Sequence, residues 1–130
     1  MSKVQHHRDQ LSVLAETLAD DTDGALIGVG YHRDGDWEPI YMRRDFAERF
    51  TEEQKAQMAN EVILDGLLKT AEETVWGFGS MRFKLLRFDE AYIAHVPISD
   101  TEGVAVGIDA MPIQDFMAAL EPVFEYCHDT

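Results

Sequence analysis

A chain of 130 residues, 45% of them hydrophobic, is one domain's length and carries enough apolar side chains for a real core. Its 25 Asp and Glu against 11 Lys and Arg leave a net charge of −14, which excludes nucleic-acid binding as a main activity because phosphate contacts need a basic footprint. One cysteine allows no disulfide framework or zinc knuckle, and no window approaches the roughly 18 apolar residues of a membrane span, so a cytoplasmic chain that avoids membranes is expected.

The acids are spread along the chain rather than gathered in a tail. That is the pattern of a solvated acidic shell. It reads as adaptation to high salt, where charges are screened over roughly 3 Å at 1 M, with an ordinary acidic cytosolic protein as the alternative.

A single domain over 1–130 is expected, with residues 1–5 disordered. Residues 6–19 read as a helix whose stripe is Leu11, Leu14, Ala15 and Leu18; the polar cluster before Gly24 ends it. Residues 25–33 form the first strand, with Ile27, Val29 and Tyr31 on one face and Leu26, Gly28, Gly30 and His32 on the other. Two glycines on one face predict close packing there, by a helix. Asp34-Gly35-Asp36 marks a hairpin. Residues 37–43 return as the second strand, and Pro39, unable to donate to a ladder, places it at a sheet edge. Residues 44–50 make a short connection with room for one helical turn.

Residues 51–71 are the most regular segment. Thr51 and Gln54 form a capping box, and Glu52 and Glu53 suit the helix dipole. At about 100° per residue, Ala56, Ala59, Ile63, Leu67 and Ala71 make one seam, flanked by Leu64 and Val62, while Gln54, Glu61, Asp65 and Lys69 make the wet face. The apolar sector is wider than one sheet face requires, and Asn60 points into its middle, where a buried amide needs partners. Residues 72–80, with WGFGS, read as a bent loop. Residues 81–88, 91–98 and 104–109 are three further strands; the last is apolar on both faces and belongs at the sheet centre, and the strand over 81–88 at the other edge. A final helix starts at Pro112 with Ile113, Phe116, Met117, Leu120, Val123, Phe124 and Cys127 in its stripe, and Pro122 is expected to kink or split it near Leu120.

No catalytic or cofactor motif occurs. His6, His7, His32, His95 and His128 lack metal-ligand spacing, His95 reads as a surface or boundary residue, and Cys127 reads as core. The GVG of residues 28–30 continues into a hairpin, not a helix, so it is no dinucleotide loop. Arg43, Arg44 and Arg49 form the most basic stretch, a solvated connection or a partner-docking spot. Arg82 and Lys84 alternate on an edge strand, as gatekeepers or as cross-interface pairing groups.

The order α-β-β-α-β-β-β-α resembles the roadblock family, within the profilin-like group that includes longin domains. The resemblance implies an α+β fold with a five-stranded antiparallel sheet in the order 2-1-5-4-3 and helices packed on its faces. Pro39 then falls on an edge strand, residues 104–108 fall on the central one, and Ala56, Ala59, Asn60 and Gly66 fall on the helix with which roadblock proteins dimerise. The stretches LIGVGYHRDGDWEPIYMRRDF and ISDTEGVAVGID are also similar to small acidic proteins of salt-loving archaea. The family implies a non-catalytic homodimer, a scaffold or regulator that binds a small GTPase or other signalling partner, with no cofactor. Its interface candidates are Ala56, Ala59, Asn60, Ile63, Leu67, Arg82 and Lys84. The alternative is a small-ligand sensor of PAS-like type, with Trp37, Tyr41, Trp76, Phe78 and Tyr92 lining a pocket.

Overall fold

The computed structural model describes residues 3–128. In chain order its elements are α1 (Lys3–Asp21), β1 (Leu26–Arg33), β2 (Asp36–Met42), α2 (Arg44–Arg49), α3 (Glu52–Trp76), β3 (Lys84–Arg87), β4 (Ala91–Pro97), β5 (Glu102–Asp109) and α4 (Ile113–His128). The strands form one antiparallel sheet in the order β2-β1-β5-β4-β3, the α+β topology expected from the order of elements.

Turn chemistry fixes the first hairpin. Asp34 and Gly35 have φ of 53° and 89°, the two positive values of a type I′ turn, so Arg33 pairs Asp36 and a two-residue loop suffices. Further along, Val29 pairs Tyr41 but Gly30 pairs Pro39, which leaves Ile40 as a bulge beside the proline. β2 is therefore an irregular edge, and β3 is the opposite one. A second bulge, between Leu26 and Gly28 against β5, alters the face pattern expected for the first strand: Leu26 joins the core with Val29 and Tyr31.

That core lies on one face of the sheet. Leu11, Leu14, Ala15 and Leu18 of α1 and Phe116, Leu120, Val123 and Cys127 of α4 pack on Val29, Ala94, Val96, Val104, Val106 and Ile108, with Tyr92 stacked on Phe116 at 4.2 Å between ring centroids. Each leucine, valine, isoleucine or phenylalanine among them contributes about 1.5–3 kcal/mol by burial. The β5 strand is buried along nearly its whole length, as a central strand is. Pro122 does not split α4. It removes one N–H, but the in-phase anchors on either side of it, Leu120 and Val123, are both fully buried and keep the helix on the sheet.

Three boundaries differ from expectation by three residues or more. α1 starts at Lys3 rather than His6, while Met1 and Ser2 lie outside the described residues. α3 continues to Trp76 instead of ending at Ala71, because nothing between Glu72 and Trp76 breaks a helix; Gly77, at φ 68°, supplies the left-handed cap and donates its N–H to the Glu73 carbonyl. β3 begins at Lys84, not Met81, and the Met81 N–H is taken by the Glu73 carboxylate at 2.6 Å rather than by a strand partner.

Candidate protein-interaction surface

α3 covers the other face of the sheet, and it sits on that face by its polar side. Thr51 and Gln54 complete the expected capping box, at 3.1 and 2.8 Å. From there the residues turned inward are Ala59, Gly66 and Lys69, all buried, with Val62 and Ile63 half-buried. Beneath them the sheet offers small residues and two histidines. His32 and His95 meet Nε2 to Nε2 at 2.7 Å, both buried. A Cβ at Gly66 would lie 2.9 Å from His32, and one at Gly103 would lie 2.7 Å from both rings, so glycine is needed above and below the pair. His95 is thus interior, not the surface or boundary residue its strand position suggests. Burial, and then the neighbouring His32, push His95 down to about 4; burial lowers His32 too, against the opposing pull of Glu102. The contact suits two neutral imidazoles, one donating and one accepting.

Ion pairs rather than apolar contacts fasten the rest of the helix. Lys69 donates to Glu73 at 2.8 Å and to Asp100 at 3.0 Å. Burial alone would lower the Lys69 pKa, but these two bonds raise it overall. Lys84 of β3 reaches Asp65 at 3.2 Å and Glu72 at 3.3 Å. Asp65 and Lys69, expected on the wet face, therefore make the attachment. Most of the apolar strand residues are committed to α1 and α4, and the face that α3 meets carries glycine, alanine and imidazole beside Ile27 and Ile93.

The apolar sector of α3 consequently faces outward. Leu67 is 69% exposed, Leu64 48%, Leu68 44% and Val75 79%, with Ala56, Asn60 and Ala71 exposed among them. Asn60 does stand in the middle of an apolar surface, as its position predicts, but in the single chain that surface is open and the amide is not buried. Trp76 and Phe78 at the end of α3, and Leu86 and Phe88 at the β3 edge, extend the exposed apolar surface. The helical spacing of Leu64, Leu68 and Val75 marks these residues in the sequence once α3 is continued past Ala71. Of the interface candidates, Ala56, Asn60 and Leu67 lie on this surface and Ile63 at its margin. Ala59 turns to the sheet, Lys84 is held by α3, and Arg82 is exposed just before β3.

The basic stretch divides as well. Arg43 binds Asp109 at 2.6 and 3.0 Å, Asp45 at 2.6 and 3.1 Å and the Gly24 carbonyl at 3.2 Å, tying the chain after β2 to the end of β5. Its hydrogen bond to Asp109, then that to Asp45, raise its pKa, so this guanidinium is a structural clamp. Arg44 pairs with Glu48 on the surface, and Arg49 pairs with Glu90 and lies over the Phe50 ring.

Elsewhere the polar groups are quiet. Tyr31 donates to Glu102 at 2.5 Å, and His7 shares a hydrogen bond with Tyr126, joining α1, α4 and the sheet. Burial pushes the Tyr126 hydroxyl and the Cys127 thiol to about 12, so both stay protonated near neutral pH. Among the described residues no three His, Cys, Asp or Glu side chains converge as a metal site would need. The five aromatics proposed for a ligand pocket are dispersed: Tyr92 is in the α1–α4 core, Trp37 fills the space above Gly30, and Trp76 and Phe78 are exposed. Trp37, rather than a helix, is thus the close neighbour that Gly30 accommodates. Tyr41 lines an open groove of about 470 Å³ between α1 and β2. Among the described residues no helix is long and apolar enough to cross a membrane.

Sheet order and helix placement define a roadblock-like fold. Solved structures agree: the chain is similar to Myxococcus xanthus MglB (7% identity, TM-score 0.62, covering 93% of this chain and 97% of that one). It is similar also to an MglB with tetrameric arrangement (10%, 0.62, 92% and 90%) and to a Roadblock/LC7 domain from Streptomyces avermitilis (13%, 0.54, 88% and 95%). No curated protein matches the sequence. The family model for a domain of unknown function, DUF7522, matches residues 12–129, and the chain belongs to that family.

Proposed function

We propose that this protein is a non-catalytic homodimeric scaffold or regulator, with the outer face of α3 as its self-association surface. One observation carries the reading. α3 is held on its own sheet by glycine, histidine and lysine, while Leu64, Leu67, Leu68 and Val75 are presented to solvent. An apolar sector of this kind on a monomeric surface marks an interaction site. The roadblock resemblance supplies the partner class, a small GTPase or other signalling protein, and the exposed Arg44 and Arg49 are the docking candidates that remain free of the Arg43 clamp. With −14 per chain, association depends on screening, so the dimer is expected to strengthen from low to molar salt.

Sedimentation velocity in 1 M salt tests the proposal. A dimer is expected for the native chain and a folded monomer for Leu67→Arg, whose side chain is too exposed to disturb the core. A native chain that stays monomeric at high concentration would sink the reading.

A further inference from the structure

Small residues leave the groove between α1 and β2 open. Leu11, Leu14 and Leu18 of α1 turn into the core, and toward β2 the helix presents Ala15 and Ala19. Opposite them stand Ile40 and Tyr41, both half-buried, the first of them the bulged residue beside Pro39. Between the two elements lies a trough of about 470 Å³ with an apolar floor, within the size range of binding clefts.

The rim of the trough is of one sign. Ser12, Glu16 and Asp20 recur every fourth residue and so run along one line of α1, each about 6 Å from the next along the axis. All three are exposed, and among the described residues neither carboxylate has an ion-pair or hydrogen-bond partner. No Lys or Arg lines the groove, and Arg8 of the same helix is engaged by Glu38.

An occupant must therefore match an apolar floor and two carboxylates four residues apart. A strand is a poor match, because β2 offers no N–H at Pro39 and its ladder is displaced at Ile40. A helix recognises such a groove through side chains alone, and its own four-residue spacing matches that of α1. We propose that the α1–β2 groove docks an amphipathic helix of a partner protein that carries Lys or Arg at i and i+4 and an apolar residue at i+3. Its bases meet Glu16 and Asp20, and its apolar side chain lies on Ala15, Ala19, Ile40 and Tyr41. The net charge of −14 steers a basic segment toward this chain. α1 and α3 lie on opposite faces of the sheet, so the groove stands apart from the self-association surface. Its salt dependence is also opposite, since docking on carboxylates weakens toward molar salt.

Peptide binding tests the proposal. The probe is a fluorescein-labelled helical peptide of Leu, Ala and Lys, with Lys at i and i+4 and Leu at i+3, read by anisotropy in about 0.15 M salt. The control is a peptide of the same composition in scrambled order. The native chain is expected to bind the patterned peptide about tenfold or more tightly than the scrambled one. Glu16→Lys with Asp20→Lys should remove that preference. Glu121→Lys with Glu125→Lys makes the same charge change at exposed positions of α4, and should weaken both peptides alike and keep the ratio. Ala19→Phe fills the trough at unchanged charge and should also remove the preference; should it fail to fold, the exposed charge reversals decide. Equal affinity of the native chain for the two peptides, or no binding of either, would overturn the proposal. So would a preference that survives the groove reversals or is lost with the α4 pair. A fall in the chain's own sedimentation coefficient on reversing Glu16 and Asp20, with no peptide present, would make a second copy the occupant and overturn it as well.

Discussion

The two faces of the sheet are built on opposite chemistry. On one, α1 and α4 bury leucines, valines and Phe116 in a continuous dry core. On the other, α3 rests on glycines and a histidine pair and is fastened by lysine ion pairs, with its own leucines turned away. The first face holds the fold together, whereas the second holds a helix in position while leaving its apolar side free. An amphipathic helix on a sheet need not bury its apolar stripe against that sheet.

The largest expected effect lies on the dry face. Phe116→Ala removes a fully buried ring stacked on Tyr92 and should cost about 3–5 kcal/mol in urea unfolding. A loss below about 1 kcal/mol would mean that this face is not the stabilising one.

Acid should act next, and on the polar face. His95 titrates near 4 in the fold and near 6.5 when unfolded, so between those values the unfolded chain binds more protons. Stability conferred by the neutral pair is therefore full above about 6.5 and is lost as pH falls toward 4, by on the order of 3 kcal/mol. His32 acts in the same direction, with Glu102 opposing its shift, while Asp65 and Lys84 bias His95 in opposite senses. Glu73 and Asp45, held below the usual carboxylate range by Lys69 and Arg43, lose their contributions only at lower pH. Unfolding free energies between pH 7 and 4.5 should fall steeply in the native chain and less in His95→Leu; identical slopes would contradict the assignment.

A smaller effect is expected for Gly66→Ala. Alanine in a helix interior is favoured over glycine by about 1 kcal/mol, but here its methyl would press on His32. Overpacking costs about 1–3 kcal/mol, so net destabilisation is expected, and a stabilised variant would show that α3 does not sit close on the histidines. Least of all, Leu67→Arg should change the stability of the isolated monomer by less than about 0.5 kcal/mol, since it leaves the sheet untouched.

Much of the fold is legible in the residues themselves. Asp34-Gly35 names its turn, Pro39 names its edge, and the unbroken apolar run of β5 names the sheet centre. The orientation of α3 is not legible. Ala59 and Gly66 look like part of an apolar stripe, yet they are the small residues that let polar neighbours reach the sheet, and Lys69 reads as solvated until Asp100 and Glu73 are seen beside it. His95 was hidden for the same reason: alternation puts it opposite the core, and only α3 overhead makes that side an interior. Periodicity places Asn60 within the apolar sector but does not tell whether that sector meets its own sheet or the outside.

The bulge at Ile40 beside Pro39 has a consequence for growth. A sheet with two open edges can add strands without limit, which is how ordered chains become fibres. Here one end is spoiled: β2 offers a missing donor at Pro39, a displaced residue, and Asp36 and Glu38 along its length. A second chain that joins at β3 brings its own spoiled β2 to the far end. Strand addition through that edge would then stop after one copy, because both ends of the joined sheet would be spoiled β2 edges.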